Sequence, residues 1–234
     1  MIDRSFIEKI ESLATPIWME EGDRRFTSRP VNVVLEPTVA PLIVHTLTGL
    51  TDFMAGAATS VQMVHVQDFT RVALISDMYG PEKQRETFAL AETYELKHRF
   101  GSDIPVADFV VYLQSMFVQD ATTAEIMRIV GNLTQGTEAN FADDGMTQRV
   151  TAKAGVARVE MVDLPNPVTL RPYRTFADIE QPASSFVLRI KADKDSGPRC
   201  ALHEADGGAW KNSAISTIRA WMIGNGPEGI RIIA

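Results

Sequence analysis

Residues 143–205, DDGMTQRVTAKAGVARVEMVDLPNPVTLRPYRTFADIEQPASSFVLRIKADKDSGPRCALHEA, decide the fold. Helical spacing of apolar residues stops near Phe141, and a period of about two takes over. Residues 146–153 alternate loosely, and 156–162 alternate again beyond Ala154-Gly155. Residues 186–190 and 200–203 read as two more strands, with a turn over 193–198 between them. The middle of the stretch, PNPVTLRPYRTF (165–176), holds three prolines, two arginines, a tyrosine and a phenylalanine. Prolines 165, 167 and 172 stiffen this loop, which lowers the entropy cost of binding anything to it.

Downstream, Asp206-Gly207-Gly208 marks a turn, and a helix is expected from about Asn212 with Ile215, Ile218, Trp221 and Met222 on one face. Gly224-Asn225-Gly226-Pro227 stops it. Residues 230–233 form a strand that adds to a sheet edge. Upstream the period is helical. Val106, Phe109, Val110, Leu113 and Phe117 fall on one face of a helix over 104–117, with Asp103 as its expected N-cap. Thr122-Thr123-Ala124-Glu125 has capping-box spacing and opens a second helix carrying Ile126, Ile129, Val130 and Leu133. Residues 61–78 read as a β-hairpin turning at 67–70. Residues 82–97, with charged and polar positions facing out, read as a helix. A helix starts at Thr46, strands are expected over 42–44 and 31–35, and residues 3–14 form an amphipathic helix ended by Pro16. The expected class is therefore α+β. A helix-rich part over 1–138 surrounds a small sheet with a hairpin, and a β-rich part over 139–234 carries one late helix. The two parts can also form one continuous domain.

Composition narrows the function classes. Hydrophobic residues make up 45% and charged residues 23% of the 234 positions, ordinary values that argue against disorder. No apolar run reaches the roughly 18–20 residues needed to cross a bilayer. The first residues mix charges into their apolar pattern, unlike a signal peptide, so a cytoplasmic location is expected, that of the host cell if a virus encodes the chain. One cysteine, Cys200, excludes an internal disulfide and a cysteine-based zinc site. The net charge of −7 is uneven: residues 1–139 hold 11 basic and 19 acidic side chains, residues 140–234 hold 12 and 11. Such a chain gains little from a nucleic-acid backbone, so non-specific nucleic-acid binding is disfavoured.

No catalytic residue, metal site or cofactor is expected. The four histidines lack the i, i+4 spacing of a helical metal site. His203-Glu204 with Asp206 reads equally as a weak metal cluster or a surface strand end. Cys200 lies in an apolar strand, which suits an inert thiol. The candidate ligand-binding residues are Arg171, Tyr173 and Arg174. Guanidinium groups take phosphate or carboxylate bidentately, and a tyrosine can stack on a base. The competing reading pairs both arginines with acids of this chain or of a neighbour.

The order of elements carries a resemblance. His45-Thr46-Leu47 leads into a helix, a β-hairpin follows, then helices, then a proline-rich β region ending in a strand with Phe186 and Arg189. This resembles the YfdQ-type proteins of phages and prophages, whose molecular function is uncharacterised. The resemblance implies a phage or prophage origin and supplies no catalytic residues. Two functions fit these observations. One is a non-enzymatic, self-assembling protein acting by binding or shielding, with the helix of residues 3–14 and the last strand making contacts in a homo-oligomer. The other is a small-molecule binder that sequesters an anionic nucleotide such as a host defence signal.

Overall fold

The computed structural model describes residues 3–21, 24–28, 38–56, 62–80, 83–94, 96–133, 139–141, 148–154, 158–163, 166–191 and 197–234. The chain divides into two compact units, Met1–Val39 and Ala40–Ala234. The first contains helix α1 (Arg4–Ala14) and an antiparallel hairpin of β1 (Trp18–Glu21) and β2 (Arg24–Thr27). The hairpin occupies a segment whose mixed composition shows no alternation. In α1, Phe6, Ile7, Ile10 and Leu13 are 48–60% exposed, and no residue of the helix is buried. The strand expected over 31–35 lies outside the described residues.

The second unit is α+β. In chain order it runs β3 (Leu42–Val44), α2 (Leu47–Gly56), β4 (Gln62–Val66), β5 (Arg71–Ser76), β6 (Thr87–Glu92), β7 (Ile104–Pro105), α3 (Val106–Met116) and α4 (Ala121–Gly131). Then follow β8 (Ala139–Phe141), β9 (Gln148–Ala154), β10 (Arg158–Asp163), β11 (Val168–Leu170), β12 (Ser184–Lys191), β13 (Arg199–Glu204), α5 (Ala209–Asn225) and β14 (Arg231–Ile233).

A five-stranded sheet has the order β14-β4-β5-β6-β3. Strand alternation sorts its side chains. Val64, Val66, Val72, Leu74, Ala89 and Ala91 face Leu47, Leu50 and Met54 of α2 and Ile218 and Met222 of α5, while Met63, Ala73 and Ile75 form a separate cluster. The last strand, β14, pairs in parallel with β4, so it joins a sheet of its own chain. A four-stranded antiparallel sheet has the order β11-β12-β13-β7. Its apolar residues Leu170, Phe186, Leu188, Ile190, Cys200 and Leu202 pack with Phe109, Leu113 and Phe117 and with Ile126 and Val130 of α4. Asn166 extends the ladder beyond β11: its side-chain amide donates to Leu188 O at 3.0 Å and accepts from Leu188 N at 2.8 Å. Strands β8, β9 and β10 form a three-stranded antiparallel sheet.

Several sequence expectations change. Residues 87–92 are strand β6, not helix. Leucine, alanine and glutamate favour a helix locally, but β6 lies between β5 and β3, and its small Ala89 and Ala91 let α2 approach. Helix α3 starts at Val106 with Pro105 at its N-cap position, because Ile104-Pro105 pairs with β13. Asp103 instead bonds Lys191 Nζ at 2.6 Å. The cap of α4 is Asp120, whose carboxylate accepts from Thr123 N at 2.9 Å; Thr123 is buried and its hydroxyl donates to Val118 O at 3.0 Å. Two pairings cross residue 138: β7 with β13 and β4 with β14.

Candidate functional site

The loop of residues 171–183 between β11 and β12 builds the site. Backbone bonds tie it to the end of α3: Val118 N donates to Arg171 O, and Tyr173 N to Met116 O, both at 2.9 Å. The buried Gln181 amide holds the loop from inside. Its oxygen accepts from Arg174 N at 3.0 Å, and its nitrogen donates to Phe176 O at 3.0 Å. Thr175 Oγ1 donates to Phe69 O at 2.5 Å, fastening the loop to the tip of the β4–β5 hairpin. Asp178 accepts from Leu47 N and Thr48 N at 3.0 and 3.1 Å, fastening it to the start of α2.

This framework buries Arg174. Its Nη1 donates to Glu204 Oε1 at 2.8 Å and its Nη2 donates to Ser184 Oγ. The guanidinium carbon sits 3.6 Å from the ring centroid of Trp210, a cation–π contact. Its Nε and the Trp210 Nε1 are buried without a hydrogen-bond partner among the described residues. Burial pulls the guanidinium down to about 10, against Glu204 and Asp206, so it remains a cation at neutral pH. Ser184 passes its proton toward Asp206 Oδ2 at 2.7 Å. Burial pushes the Asp206 carboxyl up, but Ser184, the Gly208 N–H and the Arg174 charge outweigh it and hold it below the usual carboxylate value. Gly207 and Gly208 both take positive φ, at 61° and 80°, and this turn sets Trp210 and Lys211 at the start of α5.

A second chain of bonds fixes His98. Its Nε2–H donates to Tyr173 O at 2.8 Å, so Nδ1 accepts, at 3.1 Å, from the Tyr112 hydroxyl. That hydroxyl itself accepts from Arg99 N at 3.1 Å. Burial holds His98 below its ordinary value and pushes the Tyr112 phenol up to about 12, so both are neutral at neutral pH. The imidazole stacks on Phe100, centroids 4.8 Å apart and planes within 1° of parallel.

These groups line a cavity of about 430 Å³, within the range of small-molecule sites. Its aromatic lining is Phe69, Tyr94, His98, Phe100 and Trp210; its charged groups are Arg174, Lys211 and Glu204; threonines 70, 93 and 175 add hydroxyls. Phe69 meets Trp210 edge to face at 4.6 Å, and Lys211 Nζ lies 5.9 Å from the Trp210 ring centroid. With His98 neutral, the lining carries two positive charges and one negative. It suits an aromatic ring joined to an anionic group.

Of the three candidate residues, Arg174 alone lines this cavity. Arg171 pairs with Glu180 at 2.6 Å on the surface, and Tyr173 contributes its backbone carbonyl to His98 while its side chain is 38% exposed. His203, Glu204 and Asp206 do not converge: Glu204 turns to Arg174, and Asp206 to Ser184 and Gly208. Cys200 is fully buried in β13, and burial pushes its thiol up to about 12. The run Gly224-Asn225-Gly226-Pro227-Glu228-Gly229 has the glycine spacing of a dinucleotide fingerprint. It closes α5 and precedes β14, the reverse of the strand–loop–helix order that chemistry needs. His98, Trp210 and Lys211 escape sequence reasoning; the one local signal was the double glycine before Trp210. Comparison with protein families, with curated proteins and with solved structures finds no match for this chain.

Proposed function

We propose that this chain is a non-enzymatic binding protein whose cavity takes an anionic small molecule with an aromatic ring, a nucleotide being the class that fits. One observation carries the reading: a buried arginine, its Nε without a partner among the described residues, shares with Lys211 a cavity lined by five aromatic rings. A base stacks on such rings, and a phosphate is met by the two cations. The fixed tautomer of His98 and its bonding on both nitrogens make it a wall of the cavity, with no free nitrogen for proton transfer. With the phage or prophage origin implied by the resemblance to YfdQ-type proteins, the ligand would be a host nucleotide, a defence signal among them, held out of circulation.

The test is calorimetric titration of the full chain with AMP, GMP, CMP and UMP, with adenosine and inorganic phosphate as fragments. At least one mononucleotide should bind about tenfold or more tightly than either fragment, a difference of about 1.4 kcal/mol. Absence of heat from all four at millimolar concentration, with no nucleotide co-purifying by absorbance ratio and mass spectrometry, refutes the reading.

A second reading, self-assembly, is favoured by α1, whose four large apolar side chains stay about half exposed. In this reading a second copy of the chain covers the stripe, since exposed apolar patches mark interaction surfaces. Light scattering should show a mass above one chain for the full protein, and a lower mass when residues 1–16 are removed. A monomer at micromolar concentration ends this reading.

A further inference from the structure

We propose that Glu204 is a stand-in for the anionic group of the ligand, its carboxylate holding the Arg174 guanidinium until a phosphate displaces it. This rests on the cavity being a nucleotide site, and it assigns the anion subsite to the Arg174–Lys211 end. A buried guanidinium requires a counter-charge at all times, because an unpaired charge in that position is strongly destabilising. Glu204 meets the requirement from the end of β13, at 2.8 Å from Nη1. Its position differs from that of every other Arg174 partner. The Glu204 side chain is 39% exposed, whereas Ser184 is 2% exposed and Trp210 7%. Glu204 can therefore turn into water and regain its hydration, while Ser184 and the Trp210 ring keep the guanidinium in place. Ser184 is held in turn by Asp206, so releasing Glu204 leaves that side of the network closed.

The exchange is favourable for a phosphate and not for a neutral ligand. A phosphate brings a charge of its own and several acceptor oxygens, enough to meet Nη1 and Lys211 together. The Arg174 guanidinium carbon lies 3.6 Å and Lys211 Nζ 5.9 Å from the Trp210 ring centroid, and both side chains line the one cavity. Without such a group the carboxylate stays on Arg174. Glu204 thus makes the site select for strong anions.

The test titrates full-length wild type and Glu204→Gln with AMP and with adenosine. Glutamine keeps an acceptor for Arg174 Nη1 while removing the competing charge. AMP should bind Glu204→Gln about fivefold to tenfold more tightly than wild type, and adenosine should bind both equally. A variant that binds AMP equally or more weakly, while wild type binds it, overturns the stand-in and leaves the nucleotide site intact. Failure of both proteins to bind AMP or any other mononucleotide overturns the site and the stand-in together. A melting curve of Glu204→Gln unlike wild type by more than a few degrees calls for Glu204→Asp as the second variant. Its shorter carboxylate should compete less and give an intermediate AMP affinity; wild-type affinity in Glu204→Asp counts against the stand-in.

Discussion

Replacing Asp178 by alanine should destabilise the protein by about 1.5 kcal/mol, and the figure follows from counting backbone donors. The first turn of α2 exposes N–H groups with no partner inside the helix. Thr46 Oγ1 accepts one of them, from Gly49 at 2.9 Å. Asp178 accepts two more, from Leu47 and Thr48, and also the Thr48 hydroxyl at 2.7 Å. It does so from 131 residues away in sequence, so it is both cap and cross-link. Loss of a side-chain cap costs about 1 kcal/mol, and loss of a negative charge at a helix N-terminus about 0.5 more. For a unit of this length each kcal/mol is worth about 2–4 °C, so Tm should fall by about 3–6 °C. Burial pushes the Asp178 carboxyl up, but Thr48 and the Leu47 and Thr48 amides outweigh it and hold it below its ordinary 3.8. A carboxylate depressed in the folded state contributes stability above its unfolded value and loses it as pH falls through the folded one. The gap between wild type and Asp178→Ala should therefore be full at neutral pH and close below 3.8. Thermal melting by circular dichroism across that range is the assay. A difference under about 1 °C at neutral pH, or a gap that widens in acid, would refute the reasoning.

Four other outcomes are expected. Arg171→Ala should change stability by less than about 1 kcal/mol, since it removes a solvated pair, whereas Arg174→Ala should abolish mononucleotide binding in the same titration. Tyr112→Phe leaves the Arg99 N–H and His98 Nδ1 without their shared partner, a cost of about 1–3 kcal/mol in chemical denaturation, with the variant's Cm lower and its m-value unchanged. Phe117→Ala empties a fully buried position between α3 and the four-stranded sheet, and denaturation should show a loss of about 3–5 kcal/mol.

Elements whose partners lie close in sequence were readable from it. The runs around Phe109 and Leu113 and the alternation through Val64 and Val66 each carry their own period, and the structure places α3 and β4 there. Strand β6 was not readable in this way. Ala89, Leu90 and Ala91 favour a helix until β5 and β3 supply ladder partners on both sides, and neither partner is visible from residues 82–97. The cap of α4 shows a smaller failure of the same kind: the capping-box spacing starts at Thr122, whereas Asp120 caps the helix and the Thr123 hydroxyl is buried on Val118 O. Arg171 and Arg174 lie three positions apart in sequence, on either side of Pro172-Tyr173. What separates them is the loop path set by Gln181 and Thr175, which sends one guanidinium under Trp210 and leaves the other against Glu180.

The cavity could not be read locally because each wall comes from a different connection. Phe69 sits at a hairpin tip, His98 and Phe100 in the segment between β6 and β7, Arg174 in the β11–β12 loop, and Trp210 in the first turn of α5. Phe69 and α5 belong to the five-stranded sheet and its covering layer, while Arg174 and Glu204 extend from the four-stranded sheet. The site is therefore a seam between two cores, with Phe100 packed against one and Phe176 and Ile179 of the β11–β12 loop in the other. This explains how the chain tolerates a buried cation there. Replacing Arg174 and Glu204 by apolar residues would close the seam with less desolvation, and such exchanges are often neutral or stabilising. Retaining the pair leaves donors at the seam that a hydrocarbon contact would not have, and two of them, Arg174 Nε and Trp210 Nε1, have no partner among the described residues. Packing alone gives no reason for that cost; the proposed anion, bound at the seam, would supply one.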